Sequence, residues 1–123
     1  MRVHEATARR YAKALHGAAR ESGSTEAFSR EIEGFLRAIA GHREVQDVLA
    51  RPWIKPEDRR GIALALAEKL GCAPIVRRFV GLVAERGRMG YFPEIVTAYR
   101  ALVDEDLGQA RAQVRATVAL TDD

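Results

Sequence analysis

The sequence has a single cysteine and no long apolar run. The first excludes a domain held together by its own disulfides, and the second excludes a membrane-spanning protein. Cys72 is the only cysteine of the 123 residues, so no disulfide can form within the chain and a reducing compartment is expected. No histidine lies near Cys72 in the sequence to favour a reactive thiolate. The longest apolar runs, residues 62–67 and 80–84, are far shorter than the roughly 20 residues of a membrane-spanning helix. The charged, alanine-rich N-terminus does not resemble a secretory signal.

Sequence signatures of catalysis, cofactor binding and metal binding are also missing. The three histidines, His4, His16 and His42, are scattered, and the sequence contains neither a phosphate-binding loop nor a nucleophile elbow. The glycines of "GRMGYF" fit a turn between helices, and the carboxylates of "VDEDLG" fit an exposed helix end. We therefore expect no catalytic residue, no cofactor and no metal.

The charge balance is basic but mild. The formal net charge is +3, and 17 of the 20 basic residues are arginine. A phosphate-bearing partner is one interpretation of this arginine content. Seventeen acidic residues are interspersed with the basic ones, however, which is typical of a mixed, solvated surface.

Apolar periodicity and end signals predict a bundle of six helices in residues 1–108. Prolines at 56, 74 and 93 suit the first positions of helices, and glycines at 23, 41, 71, 87 and 108 suit their ends. The predicted helices cover approximately residues 4–21, 25–40, 45–49, 56–69, 74–87 and 93–108. Trp53, in the turn between two prolines, is expected to fill the core.

Residues 109–123 show a different pattern. Ala112, Val114, Ala116, Val118 and Leu120 alternate with polar residues, which predicts a half-buried strand. A single strand cannot satisfy its own backbone hydrogen bonds. We therefore expect these residues to begin a truncated C-terminal domain, as a strand or a disordered tail, although pairing with another polypeptide would give the same pattern.

The first and fifth helices carry wider apolar arcs than one packing surface requires. Ala6, Ala14 and Ala18 add small residues beside the main stripe of the first helix, and two apolar stripes interleave along the fifth. Either both helices are central in the bundle, or they leave a groove that accepts an amphipathic helix from a partner.

The order of motifs resembles the N-terminal domain of the delta subunit of bacterial F-type ATP synthase, the relative of the oligomycin-sensitivity-conferring protein. The resemblance rests on "ARRYAKAL" at residues 8–15, then "RPWIKPEDRR", and then "ERGR" followed by a helix that opens with Pro-Glu and the segment "AQVRATV". It implies an all-α six-helix bundle without catalytic activity that acts in the stator. The resemblance also implies a peripheral position at the cytoplasmic face of the bacterial plasma membrane, within the F1Fo complex and without direct membrane contact.

Partners and site residues follow from the same resemblance. It implies that the first and fifth helices bind the N-terminal helix of an alpha subunit, and that a C-terminal domain missing here binds the b subunit of the peripheral stalk. The matching positions are Ala8, Tyr11, Ala12, Leu15, Ile75, Val76, Phe79, Leu82 and Val83. Tyr11 is the strongest of these candidates because tyrosine often anchors interfaces, with core packing as the alternative.

A second resemblance points to a different class of function. Arginine-rich helical domains that open with a segment like "ARRYA" also occur in the antitermination family of the N-utilisation-B type, which binds RNA. The interspersed acidic residues and the strand-like end argue against RNA binding, so nucleic acid is not an expected partner.

Overall fold

The computed structural model describes the backbone of residues 2–121 and the side chains of residues 4–119. In this part of the chain the structure contains six α-helices, one short 3₁₀ helix and no strand. The elements, in chain order, are α1 (Arg2–Ser22), α2 (Thr25–Ala40), α3 (Arg43–Ala50), α4 (Pro56–Lys69), α5 (Pro74–Glu85), the 3₁₀ turn Met89–Tyr91 and α6 (Phe92–Thr121). The predicted all-α, six-helix architecture is confirmed.

Three helix ends are set by glycine in the left-handed region of backbone conformation. The φ angles of Gly23, Gly71 and Gly87 are 66°, 74° and 68°. After each glycine the next amide donates to a carbonyl five residues earlier, as Ser24 does to Ala19 at 2.8 Å. This pattern is the Schellman motif, in which glycine avoids the steric cost that a Cβ atom would bring. The ends that glycine predicted for α1, α4 and α5 therefore have a direct conformational cause.

The core lies where α1 and α2 pack against α6. Tyr99 of α6 is completely buried, and its hydroxyl donates to the backbone oxygen of Thr25 at 2.8 Å. Phe35 of α2 and Phe92 of α6 pack with ring centroids 5.4 Å apart. The ring of His16 on α1 also packs against Tyr99, so side chains from three helices meet here and hold α1 in position.

Helices α4 and α5 form a closely packed hairpin. Gly81 makes the approach possible, because a Cβ atom there would lie 3.2 Å from the Leu64 side chain. Arg59 of α4 is buried and spans the hairpin: its Nε donates to the oxygen of Ala84 at 2.9 Å and Nη2 donates to the oxygen of Glu85 at 2.8 Å. Its Nη1 donates to the oxygen of Ile54. One side chain of α4 thus satisfies the carbonyl groups at the end of α5.

The predicted C-terminal strand is wrong for residues 109–121. Helix α6 continues through Gly108 to Thr121, and a Cβ atom at Gly108 would meet nothing within 4 Å. A helix satisfies its backbone groups internally, whereas a lone strand leaves them unpaired. Alanine, arginine and glutamine, which are frequent here, also favour helix. Residues 122 and 123 of the predicted segment lie outside the described residues, as does the side chain of Leu120.

The prediction that Trp53 fills the core is also wrong. Its side chain is 74% exposed in the turn before α4. The guanidinium of Arg51 lies over the indole ring, 5.8 Å from its centroid, which is a favourable cation–π position. None of the described helices combines the length and apolar character of a membrane-spanning segment.

Candidate functional site

Most of the nine candidate residues point into the bundle. Five of them, Ala8, Ala12, Leu15, Val76 and Val83, have at most 2% of their surface exposed. Tyr11 and Phe79 are buried near the surface, at 7% and 8%. Ile75 is partly buried, and Leu82 is exposed at 36%. Much of the wide apolar arc of each helix is therefore used by the molecule's own core, and Ile75 and Leu82 are the candidates with the most accessible surface.

Tyr11 and Phe79 bring α1 and α5 together. Their rings meet edge to face, with centroids 6.2 Å apart and an interplanar angle of 74°. The guanidinium of Arg88 lies 5.8 Å from the centroid of the Tyr11 ring, and its Nη1 donates to the Tyr11 hydroxyl at 3.3 Å. Arg88 belongs to the "ERGR" motif, and sequence reasoning did not find its contact with Tyr11. The two contacts of Arg88 hold Tyr11 in position at the solvent-facing edge of the packing between α1 and α5.

Small and apolar side chains are accessible beside this contact. Ala14 and Ala18 lie three and seven residues after Tyr11, so they share its side of α1; Ala14 is exposed and Ala18 is partly buried. Ile75 precedes Phe79 by four residues and Leu82 follows it by three. Both therefore lie on the Phe79 side of α5, next to solvent. We call these four residues, Ala14, Ala18, Ile75 and Leu82, the α1–α5 edge. An apolar helix could cover it with close backbone approach at the two alanines.

The opposite side of α1 carries a polar contact that the sequence did not reveal. His16 is buried, and its Nε2 lies 2.6 Å from Oδ2 of Asp106 on α6. The His16 ring also meets Tyr99 edge to face, with centroids 5.9 Å apart. The prediction that the carboxylates of "VDEDLG" lie at an exposed helix end is therefore wrong for Asp106, which is partly buried. This pair connects α1 to α6, and a separation of 90 residues hides it from any local pattern.

The surroundings of Cys72 indicate a structural role for its thiol. It is 5% exposed, and burial, followed by the nearby Glu31 carboxylate, raises the pKa of its thiol, an effect that Arg77 partly opposes. A thiol with a raised pKa is a poor nucleophile at neutral pH. The same Glu31 accepts the backbone amide of Ala73 at 2.6 Å, so the carboxylate satisfies an amide at the start of α5. Glu31 thus has a structural role beside Cys72.

The fold and this surface define a small helical bundle with a partly apolar helix edge. Comparison with known proteins then gives the family. The family model for the "ATP synthase delta (OSCP) subunit" matches residues 7–123. The chain belongs to the ATP synthase delta (OSCP) subunit family.

Three curated relatives called ATP synthase subunit delta show the extent of the similarity. The protein of an Anaeromyxobacter species is 38% identical over 113 residues, which cover 92% of this chain and 63% of the relative. The Syntrophobacter fumaroxidans protein is 36% identical, covering 92% and 62%. The Desulforamulus reducens protein is 34% identical over 116 residues, covering 94% and 63%. The chain therefore spans slightly less than two thirds of the length of these relatives.

Proposed function

We propose that this protein is a non-catalytic stator subunit of F-type ATP synthase. In this role it binds the N-terminal helix of an alpha subunit and links the alpha/beta catalytic head to the peripheral stalk. The link keeps the head from turning with the rotor, so that proton-driven rotation is coupled to ATP synthesis. Family membership supports a place in the ATP synthase complex, and it favours this role over RNA binding by an antitermination factor.

The observation that carries the proposed contact is the accessible apolar α1–α5 edge. Leu82 is 36% exposed beside Phe79, and the accessible Ala14 lies on the Tyr11 side of α1. A guest helix with apolar residues at i, i+3 and i+4 would cover both rows at once. Of the nine candidates, Ile75 and Leu82 would contact the guest, with Tyr11 and Phe79 as the floor. The remaining five would hold α1 and α5 at the correct separation from within the core.

A largely apolar contact suits a joint that carries sustained load. Burial of a leucine or isoleucine side chain contributes about 1.5–3 kcal/mol when complete, and proportionally less for the part still exposed. Exposed ion pairs contribute about 0–1 kcal/mol and weaken in salt. Covering Ile75 and Leu82 with a guest helix therefore slows dissociation more than exposed ion pairs would.

The remaining parts of the role concern the whole complex. We propose that the b subunit of the stalk is bound by a C-terminal domain that follows the bundle, with the division near residues 108 and 109. The greater length of the relatives supports such a domain. The protein would then stand at the cytoplasmic face of the plasma membrane through the complex.

Calorimetry with a peptide tests the proposed contact. A peptide that copies the first ~20 residues of the cognate alpha subunit, the length of one groove-filling helix, is titrated into the protein. We expect saturable binding, and we expect Leu82→Asp to weaken it about five- to thirtyfold, which corresponds to about 1–2 kcal/mol. The aspartate would be covered by an apolar guest and would lose its hydration.

Leu107→Asp is the matched control, because Leu107 is a comparably exposed leucine, at 42%, on α6. It should leave the affinity unchanged. Absence of heat at high micromolar peptide, together with RNA binding that weakens steeply with salt, would overturn the proposal in favour of the RNA-binding alternative.

A further inference from the structure

A second groove runs along the other flank of α1, between α1 and α6. Its volume is about 600 Å³. The floor is made of Ala8 from α1, which is buried, and Ala98 and Leu102 from α6, which are partly buried; the exposed Ala101 adds a small side chain on the α6 side of the groove. Because three of these four are alanine, the backbone of a guest helix could approach closely, as small residues allow wherever helices pack tightly. We call this surface the α1–α6 groove.

The α1 rim of the α1–α6 groove is basic at Arg9 and Lys13, apart from Glu5 at its end, and the α6 rim is acidic. Arg9 and Lys13 line the groove from α1, one helical turn apart, and Glu94 and Glu105 line it from α6. None of these four side chains forms an ion pair with another residue in the described part of the chain. Glu5, at one end of the α1 rim, is the fifth charged residue of the lining. Four charges around an apolar floor are therefore available to a partner.

The direction of the two helices sets the length of the groove. The ring of His4 stacks on Tyr91 with centroids 4.4 Å apart, and His16 pairs with Asp106 at 2.6 Å. The N-terminal ends of α1 and α6 therefore lie side by side, and so do their later turns. The two helices run parallel. From Pro93 to Glu105 the α6 rim extends about 18 Å at 1.5 Å per residue. A guest helix of about three turns or more fills that length.

We propose that the α1–α6 groove is a docking site for an amphipathic helix of a partner protein with a defined charge arrangement. The guest presents a stripe of apolar side chains to the alanine floor. Its edge beside α1 carries carboxylates at i and i+4, which face Arg9 and Lys13. Its edge beside α6 carries lysine or arginine, which faces Glu94 and Glu105. Charge complementarity of this kind contributes specificity and register more than raw affinity.

The opposite signs of the two rims also fix the direction of the guest. Turning an amphipathic helix end for end keeps its apolar stripe on the floor but exchanges its two edges. In the reversed direction carboxylates would face Glu94 and Glu105, and lysines would face Arg9 and Lys13. Like charges placed opposite each other are unfavourable, so only one direction is stable.

This inference is independent of the proposed contact with the alpha subunit. The α1–α5 edge lies on the flank of α1 that carries Tyr11 and Ala14, and the α1–α6 groove lies on the flank that carries Arg9 and Lys13. Failure of binding at one surface leaves the other untouched, and variants at Leu82 and Ala101 report on them separately.

The test uses synthetic peptides of 16 residues as probes. The matching peptide has an alanine and leucine stripe, glutamates at i and i+4 along one edge and lysines along the other. Two control peptides carry lysine on both edges or glutamate on both. We expect the matching peptide to bind the full chain and to shift the backbone amide resonances of Ala98 and Ala101, with the controls at least tenfold weaker.

Variants of the protein then test the rims and the floor. Arg9→Glu and Lys13→Glu should each weaken the matching peptide about three- to tenfold, whereas Arg43→Glu, the same charge change on α3, should have no effect. Ala101→Arg, which places a larger basic side chain beside the lysines of the guest, should weaken it more than tenfold. Circular dichroism confirms that each variant remains folded.

A spin label at one end of the matching peptide shows the direction in which the peptide binds. Line broadening should be confined to one end of the groove, near either Glu94 or Glu105. The variant Arg9→Glu, Lys13→Glu, Glu94→Lys and Glu105→Lys exchanges the signs of the rims without changing the net charge. In that variant the broadening should move to the opposite end.

Three outcomes would overturn the inference: equal binding of the matching and control peptides, shifts centred on Ile75 and Leu82 instead of Ala98 and Ala101, or equal effects of Arg9→Glu and Arg43→Glu.

Discussion

Arg59 shows how one buried side chain stabilises the α4–α5 hairpin. Its guanidinium donates to the backbone oxygens of Ile54, Ala84 and Glu85. The last carbonyl groups of a helix have no partner within the helix, so an arginine from a neighbouring helix can satisfy them. Hydrogen bonds to charged groups contribute about 1.5–3 kcal/mol each to stability after their exchange with water is counted.

Arg59→Lys should lower the free energy of unfolding by about 1–3 kcal/mol, because one ammonium group cannot reach the three carbonyl oxygens that the planar guanidinium spans. Urea denaturation measures the change. Arg60→Lys is the control, since Arg60 is an exposed neighbour on the same helix. Equal loss in the two variants would show that the fork geometry of Arg59 is not important.

The buried phenol of Tyr99 makes the stability of the protein depend on pH. Burial, followed by the carboxylates of Glu26 and Asp106, raises the pKa of its phenol to about 12 from the ordinary value of 10. The folded state therefore holds this proton more tightly than the unfolded state does. The stabilisation is fully present below pH 10 and is lost as the pH rises from 10 to about 12, by at most about 1.4 kcal/mol per pH unit.

Tyr99→Phe should cost about 1 kcal/mol at neutral pH, because the Thr25 oxygen loses its donor. The advantage of wild type over Tyr99→Phe in unfolding free energy should then fall steadily from pH 10 to pH 11.5 and change sign, because the alkaline loss exceeds the hydrogen-bond contribution. Tyr91→Phe serves as the control and should keep the alkaline loss. A difference that stays constant across this pH range would contradict the account of Tyr99.

Helix α6 is the element that departs most from its sequence pattern. Residues 109–119 are exposed throughout, including Val114 at 63% and Val118 at 52%. Because these residues are exposed, alternation of apolar and polar residues does not select a face, and the internal hydrogen bonds of a helix decide the conformation. The extension should therefore contribute helix content but little stability.

Gly108→Pro should reduce the helical circular dichroism signal, because proline removes a helix hydrogen bond and clashes with the preceding turn. The free energy of unfolding should fall by less than the roughly 3 kcal/mol of an interior proline, since the residues beyond Gly108 are exposed. Gly108→Ala, which fits in open space, should slightly increase helicity. A Gly108→Pro variant with unchanged helicity would show that residues 109–121 are not helical in solution.

Most helix boundaries could be predicted from the sequence, apart from the end of α6 at Thr121, whereas exposure could not. Pro56 and Pro74 begin α4 and α5, as their fixed φ favours, and Gly71 and Gly87 follow their ends. These signals are local. Val83 and Leu82 are neighbours in one apolar run, yet Val83 is completely buried and Leu82 is 36% exposed. Periodicity shows which residues share a face of α5, but only the packed neighbours decide which face they cover.

At the scale of the whole molecule, α1 is the central element of both proposed contacts. One flank meets α5 at Tyr11 and Phe79, and the other meets α6 at His16 and Asp106. Both contacts fix the position of α1, and each leaves accessible apolar surface beside it. Surfaces on opposite flanks of one helix allow two guest helices to bind this small bundle without competing for the same side chains.

The most direct test of the central claim is to map where the alpha-subunit peptide binds. Backbone amide resonances of the labelled protein are followed during a titration with the ~20-residue N-terminal peptide, the length of one groove-filling helix. The account predicts the largest shifts at Ala14, Ala18, Ile75 and Leu82, with little change at Val114 and Val118. Saturable binding with shifts confined to other surfaces, or no binding at all, would contradict it.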